Sequence, residues 1–183
     1  MNTVTDALYE RFKTNLEAVN GSCVHTSTAA LGSTLADLLK QVGAADTCLA
    51  ETPLFEEAGV VKTLEEAGIK VYTDHIRLHA ETAKGGITEN QLGIAELGTM
   101  IQCRDVIDER IIATMCESYF GVIKGSTIVE SYDETFKMLA AMPDLPNFVG
   151  FITGPSRTAD IECVSTVGVH GPLRLTAVVV DDR

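Results

Sequence analysis

The sequence predicts an α/β protein in which helices cover a mainly parallel β-sheet. Short apolar runs alternate along the chain with stretches of helical periodicity, which is the pattern that successive β-α-β units produce. Aromatic residues make up only 5% of the chain and Trp is absent, so the core has to be built from Val, Ile, Leu and Ala. Strands buried on both faces have this aliphatic composition. At 183 residues, the chain has the usual length of one domain.

The N-terminal segment predicts an amphipathic helix that ends near Gly21. Its apolar residues recur at helical spacing: Val4, Leu8, Phe12, Leu16 and Val19. We expect this helix, residues 1–22, to pack either on the body of the domain or on a second copy of the chain in a homodimer. Residues 23–183 form a single α/β domain, since no linker, repeat or low-complexity segment interrupts them.

The elements that follow are predicted from periodicity and from capping signals. Thr52 is a suitable N-cap, and Pro53 fits the first position of a helix. In chain order we expect a strand over 23–26, a helix over 33–41, a strand over 47–50, one helix from 53 to 68, a strand over 69–72 and a short helix over 75–83.

The middle of the chain contains a glycine pair and a capping signal. Gly85 and Gly86 predict a flexible turn. Thr88 and Gln91 have the spacing of a capping box, which predicts a short helix that ends before Gly98. A strand over 99–103 follows.

The second half predicts three further strands and one helix. Ser131 and Glu134 form another capping box. We expect the helix that begins there to bury three apolar side chains: Phe136, Leu139 and Met142. The strands are expected over 119–123, 148–153 and 173–180.

The formal net charge of −12 restricts the ligands that the surface can attract. A surface this negative repels the phosphate backbone of nucleic acids and the headgroups of acidic lipids, which excludes general binding to either. An anionic ligand therefore needs a local positive pocket made from Arg, Lys or helix N-termini. The N-terminus lacks a signal-peptide pattern and no run approaches the length of a membrane span, so we expect a cytoplasmic protein.

The cysteines indicate a reducing compartment and no metal centre. Five of them are spread along the chain without a C-x-x-C pair: Cys23, Cys48, Cys103, Cys116 and Cys163. The spacing of a zinc site or an iron–sulfur cluster is therefore missing. His25, His75 and His79 complete no metal-binding motif either. Glycine-rich signatures of dinucleotide and nucleotide sites are also missing from the sequence.

The run Gly154-Pro155-Ser156-Arg157-Thr158-Ala159-Asp160-Ile161-Glu162 is the strongest candidate for a ligand site. It begins where a strand ends, and ligands of open α/β sheets bind beyond the carboxyl ends of strands. Gly154 permits close approach of the backbone, and Ser156 or Thr158 can cap a helix whose free N–H groups point at an anion. Arg157 adds a planar cation that suits a carboxylate or a phosphate. The alternative is an ordinary helix start, with Arg157 paired to Asp160 or Glu162.

Two further stretches contain candidate residues. Glu96 precedes Gly98 and Thr99 at a tight corner, where it could act as nucleophile or general base while Gly98 and Thr99 donate hydrogen bonds to a developing charge. The alternative is that Glu96 accepts backbone N–H bonds and fixes the turn. His170, in the turn Gly168-Val169-His170-Gly171-Pro172, could bind an anion or move a proton, or it could be a hydrogen-bonded structural residue.

The motifs GPSRTADIE at 154–162 and GVHGP at 168–172, followed by an apolar strand, resemble the signature of the LUD-domain family of the lactate-utilisation protein C type. The upstream run ITENQLGIAELGT resembles that family's A-E-T-G-T segment, with Leu97 where the family commonly has Thr. If that hydroxyl contacts a ligand, this chain has lost the contact. The resemblance implies a three-layer α/β/α fold like that of the sugar-phosphate isomerase and CoA-transferase superfamily.

The same resemblance implies a role in bacterial L-lactate utilisation, in a three-component system that converts lactate to pyruvate. Its other two components carry the iron–sulfur clusters, so this chain would have iron–sulfur proteins as partners and no cofactor of its own. In CoA-transferase relatives a Glu forms a covalent intermediate, a role that would fall on Glu96.

Two main hypotheses follow, with a metabolite-sensing regulatory domain as a third. In the first, the chain is a component of a lactate-oxidising complex and holds a small anionic ligand in a cleft at the strand carboxyl ends, through Arg157, the helix after Ser156 and His170. In the second, it is a free-standing enzyme that acts on a sugar phosphate or acyl-CoA, with Glu96 as the catalytic group.

Overall fold

The computed structural model of the chain describes residues 3–158, 166–168 and 170–182. The helices in this part of the chain are α1 (Thr3–Glu17), α2 (Leu31–Gln41), α3 (Pro53–Glu57), α4 (Val60–Glu66), α5 (Ile76–His79), α6 (Ile107–Met115) and α7 (Tyr132–Ala140). The strands are β1 (Ser22–Ser27), β2 (Asp46–Leu49), β3 (Lys70–Tyr72), β4 (Gly85–Asn90), β5 (Leu92–Ile94), β6 (Thr99–Cys103), β7 (Ser118–Lys124), β8 (Ile128–Val129), β9 (Val149–Ile152), β10 (Arg157–Thr158), β11 (Thr166–Val167) and β12 (Arg174–Asp181).

Six strands form the main sheet, in the order β1-β12-β7-β4-β2-β3. Every neighbouring pair in it is parallel, which confirms the predicted sheet. The central strands are buried almost throughout; in β12, for example, Ala177, Val178 and Val180 have no exposed surface. Aliphatic side chains on both faces therefore fill the interior, as the scarcity of aromatic residues indicated.

Helices cover both faces of this sheet and produce three layers. On one face, α2, α3 and α4 pack on the sheet through Leu35, Phe55 and Leu64, among others. On the other face, α1, α5 and α6 pack through Phe12, Ile76 and Ile112. The three-layer α/β/α arrangement implied by the resemblance is therefore confirmed.

A second sheet of four strands, β8-β5-β6-β9, was not predicted. Its β5–β6 and β6–β9 pairs are antiparallel, and its β5–β8 pair is parallel. Helix α7 packs on it through a small core of its own: Leu92, Ile94, Ile101, Cys103 and Leu139, with Met142 and Val149 beside them. The second sheet continues directly from the end of β4, so it lies at the carboxyl edge of the main sheet.

The first helix packs on the body of the domain. Phe12 and Leu16 of α1 have no exposed surface and belong to the larger core cluster. The turn between β5 and β6 lies directly against this helix: a Cβ added to Gly98, whose φ is +60°, would lie 2.2 Å from the Leu16 nitrogen. The missing side chain at Gly98 is therefore what permits α1 to reach this position.

Both predicted N-caps at the N-termini of α3 and α7 are confirmed. Thr52 Oγ1 accepts a hydrogen bond from the Phe55 amide at 3.4 Å, and Ser131 Oγ accepts one from the Glu134 amide at 3.2 Å. The single helix expected from 53 to 68 is instead two helices, α3 and α4. The break lies at Gly59, which has a left-handed φ of +59°.

The prediction of a turn at Gly85 and Gly86 is wrong, because both residues lie in β4. A Cβ on Gly85 would lie 2.4 Å from Leu39 Cδ2, and a Cβ on Gly86 would lie 2.8 Å from Cys116 Sγ. The two glycines thus permit close packing of α2 and of the α6–β7 junction on opposite faces of the sheet. The helix predicted from the capping box at Thr88 and Gln91 is also wrong, because this segment forms β4 and leads into β5.

Two predictions in the last third of the chain also fail. Leu139 of α7 is buried and Met142, which follows the end of the helix, is partly buried, but Phe136 is 45% exposed. No helix begins at Ser156, because Arg157–Thr158 forms β10 and pairs antiparallel with β11. The residues for a helix capped by Thr158, including Asp160 and Glu162, lie outside the described residues, as does Cys163.

We expect Gly98→Ala to destabilise the protein more than Gly59→Ala. The two glycines have nearly the same φ, so each alanine carries the left-handed backbone cost of about 1–2 kcal/mol. Only Gly98 lacks space for a Cβ, because no atom lies within 4 Å of the Cβ position at Gly59. The overlap at Gly98 should add about 1–3 kcal/mol. Urea unfolding of the two variants measures the difference, and equal losses would contradict close packing of α1 at this turn.

Candidate functional site

The two C-terminal motifs meet at Ser156. Its amide donates a hydrogen bond to the Pro172 carbonyl at 2.9 Å, and its carbonyl accepts one from the Gly168 amide at 2.8 Å. Arg157 in β10 lies opposite Val167 in β11. The turn that carries His170 is therefore hydrogen-bonded to Ser156 through the residues on both sides of it, Gly168 and Pro172. We call residues 154–158 and 166–172, as far as they are described, the C-terminal motif unit.

His170 lines a cavity of about 670 Å³ beside this unit. Lys84, Glu117 and Leu173, which also line it, immediately precede β4, β7 and β12. The cavity therefore lies at the amino edge of the main sheet. We expected the ligand-binding residues at the carboxyl ends of the strands. That expectation is wrong for His170, because the turn that carries His170 precedes a parallel strand and does not follow one.

The cavity contains charges of both signs. Lys84 and His170 are its basic lining residues, and Glu81 and Glu117 are its acidic ones. The Glu117 carboxylate is paired with the Arg174 guanidinium at 2.7 Å, so its charge is largely compensated. Thr114 and Thr82 add hydroxyl groups to the lining. Both hydroxyl groups already donate to backbone carbonyls, of Arg110 and His79, so a small polar molecule with a negative group finds its cation here in Lys84.

Arg157 is exposed on β10 and is not among the lining residues of this cavity. Its exposed side chain therefore lies at the surface of the C-terminal motif unit. The Thr158 side chain lies outside the described residues, as do the two acids considered as partners of Arg157, Asp160 and Glu162.

Glu96 makes a structural contact at the start of α7. Its Oε2 accepts a hydrogen bond from the Tyr132 amide at 3.0 Å, and the Glu96 amide donates one to the Glu130 carbonyl at 3.0 Å. From the other side, Asn15 Nδ2 donates to the Ala95 and Glu96 carbonyls at 2.8 and 3.0 Å. The side chain is exposed, and the contacts correspond to the alternative in which Glu96 fixes the turn.

The other motif residues connect this turn to the C-terminal motif unit. Thr99, buried at the start of β6, shares a hydrogen bond between hydroxyl groups with Thr153. Thr153 precedes Gly154, which has a φ of +69° and lies against the end of α1: an added Cβ would be 2.7 Å from the Val19 carbonyl oxygen. In this structure Gly98 and Gly154 therefore both accommodate the first helix and its C-terminal turn.

A buried polar layer between the two sheets was missed by the sequence analysis. Tyr119 Oη shares a hydrogen bond of 2.7 Å with Thr88 Oγ1 and accepts one of 3.0 Å from Asn90 Nδ2. Gln102 Nε2 donates to Thr88 Oγ1 at 3.5 Å. Burial raises the pKa of Tyr119 to about 12, although the bonds from Thr88 and Asn90 oppose the shift, so its hydroxyl stays neutral. A satisfied layer of this kind specifies how β6 lies over β4.

Glu109 of α6 is a buried carboxyl that the sequence analysis did not single out. Only 2% of its side chain is exposed. Its Oε1 accepts a hydrogen bond from Arg104 Nη1 at 3.0 Å, while Oε2 has no hydrogen-bond partner among the described residues. Burial raises the pKa of this carboxyl, Arg104 opposes the shift and Glu89 adds to it. No periodicity or motif distinguishes Glu109 from its neighbour Asp108 on the same short helix, so only its burial identifies it.

The described residues contain neither a cluster of metal-ligating side chains nor a membrane-spanning helix. Within 3–158, 166–168 and 170–182, no three His, Cys, Asp or Glu side chains are grouped so that they could hold a metal ion. Over the same residues, every helix is too short or too polar to cross a membrane.

The fold and these motifs define a class of three-layer α/β/α proteins with a parallel main sheet and a C-terminal hairpin unit. The LUD domain family model matches residues 9–180. A Lactate utilization protein C from Geobacillus sp. (strain WCH70) is 29% identical over 97% of this chain and 80% of its own length. Lactate utilization protein C 1 from Bacillus mycoides (strain KBAB4) is 30% identical over 97% of this chain and 81% of its own length. The chain belongs to the LUD-domain family.

A solved structure supports the same fold. The crystal structure of a DUF162 family protein from Deinococcus radiodurans superposes with a TM-score of 0.69, over 96% of this chain and 98% of that one. The two sequences are 22% identical, so this likeness concerns the fold alone.

We expect Glu109→Gln to change how stability depends on pH. Because burial raises the Glu109 pKa, the native state keeps this proton at pH values where the unfolded chain has lost it, and the unfolding free energy falls as pH rises above about 4.3. The variant lacks this titration, so its stability relative to the parent protein should increase from pH 4 towards pH 7. Glu66→Gln, whose side chain is 66% exposed, is the control. Parallel pH profiles for parent and Glu109→Gln proteins would contradict the raised pKa.

Proposed function

We propose that this chain takes part in lactate utilisation, as the component that holds a small carboxylate such as lactate or pyruvate in a system that oxidises lactate to pyruvate. Membership of the LUD-domain family and the relatives named Lactate utilization protein C support the general role. The finer statement, that the component is a carboxylate-binding one, rests on the geometry of the C-terminal motif unit.

The observation that carries the proposal is the double hydrogen bond of Ser156 to Gly168 and Pro172. It joins the backbone segments that carry Arg157 and His170, which are thirteen positions apart in the sequence. On a chain with a net charge of −12, a small anion binds only where local cations outweigh the general repulsion. Arg157, exposed on β10 and outside the cavity lining, offers a bidentate partner for a carboxylate, and His170 and Lys84 line the cavity as further donors.

In this proposal the electron transfer belongs to iron–sulfur partner proteins. The cysteine spacing of this chain is not that of a cluster site, so the chain would hold or present the substrate while a partner accepts electrons. The four described cysteines are buried free thiols, which favours the cytoplasm as the compartment.

We expect L-lactate or pyruvate to raise the melting temperature of the isolated protein. A ligand that binds only the native state adds about 2.7 kcal/mol of stability at a concentration of 100 times its Kd. Arg157→Ala and His170→Ala should each reduce or remove the shift, because each takes a donor from the anion site. Thermal-shift titrations measure this effect.

Two controls make the thermal-shift experiment specific. Lys62→Ala, which removes a cation with an 82% exposed side chain on α4, should leave the shift unchanged. Propane-1,2-diol has the same carbon skeleton without the carboxylate and should give no shift. A shift that survives in both the Arg157 and the His170 variants would place the anion site elsewhere and overturn the proposal.

Turnover by the isolated chain distinguishes this role from a free-standing enzyme. Because the sequence carries no redox motif, we expect the isolated protein to be inactive on L-lactate with an artificial electron acceptor. Because the Glu96 carboxylate already accepts a bond from the Tyr132 amide, we also expect no activity on sugar phosphates or acyl-CoA. Activity that is lost in Glu96→Gln but retained in Glu130→Gln would instead support a catalytic role for Glu96.

A further inference from the structure

Three aromatic side chains form an exposed patch on α7 and β9. Tyr132, Phe136 and Phe151 are 44%, 45% and 41% exposed. The ring centroids of Tyr132 and Phe136 are 4.6 Å apart, and those of Phe136 and Phe151 are 5.9 Å apart in a stacked arrangement. Tyr132 and Phe151 complete the cluster at 6.0 Å. We call these three residues the aromatic patch.

The patch is unusual for this chain. The sequence contains only ten Phe and Tyr residues (6 + 4) and no Trp, and three of the ten lie here with much of their surface in water. Exposed aromatic clusters of this kind are typical of protein interfaces, where aromatic residues are enriched. The helix that carries two of the rings is held in place by the Glu96–Tyr132 and Ser131–Glu134 bonds, so the patch is presented on a fixed support.

Acidic side chains lie beside the Tyr132 end of the aromatic patch and form what we call its acidic rim, while Lys137 is the single basic residue of α7. Glu96 and Glu130 lie at the start of α7, and Asp133 and Glu134 lie in its first turn. Arg11 approaches Glu130 at 3.4 Å, but 70% of the Glu130 side chain remains exposed. An apolar centre with an acidic rim is complementary to a surface that has an apolar centre and a basic rim.

A second copy of the chain does not suit this surface. In a two-fold contact the acidic rim would face itself, and like charges across an interface are unfavourable. The area is also too small for a stable dimer: three half-exposed rings offer roughly 300 Å² or less, compared with about 800 Å² per partner in a standard interface. A short segment of another protein fits both the size and the charge of the patch.

We propose that the aromatic patch of Tyr132, Phe136 and Phe151 is a docking surface for a partner protein, which it recognises through a short segment with Lys or Arg side chains around an apolar centre. The apolar side chains of the segment cover the rings, while its cations pair with the acidic rim and lie against the aromatic faces. This surface is separate from the C-terminal motif unit, so the inference does not depend on which ligand that unit binds.

Three synthetic peptides of equal length test the proposal against the intact protein. The first has alternating Leu and Arg or Lys residues, the second replaces the basic residues with Glu, and the third replaces the Leu residues with Ser. Fluorescence polarisation should detect binding of the first peptide only, with an affinity that falls as salt is added. Equal binding of the acidic peptide, or no binding of the first peptide, would overturn the proposal.

Variants locate the binding on the patch. Phe136→Ser and Phe151→Ser should each weaken binding of the first peptide at least about tenfold. Both side chains are partly exposed and lie on different elements, so two independent losses with unchanged melting temperatures exclude unfolding as the cause. Leu78→Ser, which removes a 72% exposed apolar side chain on α5, is the matched control and should bind normally.

Two further results would overturn the proposal. Unchanged affinity in both Phe variants would place peptide binding elsewhere. Sedimentation that shows a dimer of the parent protein, lost in Phe136→Ser, would identify a second copy as the occupant.

Discussion

Close packing between helix α1 and the turn at Gly98 holds the second sheet on the rest of the domain. The helix backbone occupies the space where a side chain of Gly98 would be, and Asn15 bonds to two carbonyl groups of the same turn. Near its C-terminal end the same segment lies against Gly154. The motif that contains Gly98 and the motif that contains Gly154 therefore both have a structural role. Each supplies a glycine that permits close contact with the backbone of the N-terminal segment. The positions of Glu96 and of the C-terminal motif unit both follow from this packing.

Most of the main sheet was predictable because its strands are short and apolar and alternate with segments of helical periodicity. Strand β4 could not be predicted, because its sequence is determined by tertiary packing and not by local propensity. Gly85 and Gly86 suggest a turn in any local interpretation, yet they are required because Leu39 and Cys116 pack closely on the two faces of the strand. Thr88 and Gln91 likewise have the spacing of a capping box but cap no helix, because the Thr88 hydroxyl is hydrogen-bonded to Tyr119 in the buried polar layer. Once β4 was mistaken for a turn and a helix, the second sheet could not be predicted.

Sequence reasoning named the candidate site residues, and their placement in the fold came only from the structure. The meeting of the two C-terminal motifs at Ser156 agrees with treating them as one unit, and the Glu96 contact corresponds to the structural alternative for that residue. The rule that ligands bind at carboxyl ends of strands applies to parallel sheets, whereas Gly154 follows β9 of the second sheet and His170 precedes β12. Glu109 could not be identified from the sequence, because its raised pKa depends on burial. The pattern of a single sequence does not show that this carboxyl is buried.

One residue of each proposed surface lies on the same short stretch of chain. Phe151 of the aromatic patch and Arg157 of the C-terminal motif unit are six residues apart, which limits their separation to about 21 Å even in a fully extended segment. Strand β9 is fixed by pairing with β6, and Thr153 is fixed by Thr99, so little of this stretch is free to move. A partner docked on the patch would therefore be held at a defined short distance from a carboxylate at Arg157. That geometry suits a component that presents a substrate to a second protein, because the surfaces are close while sharing no residue.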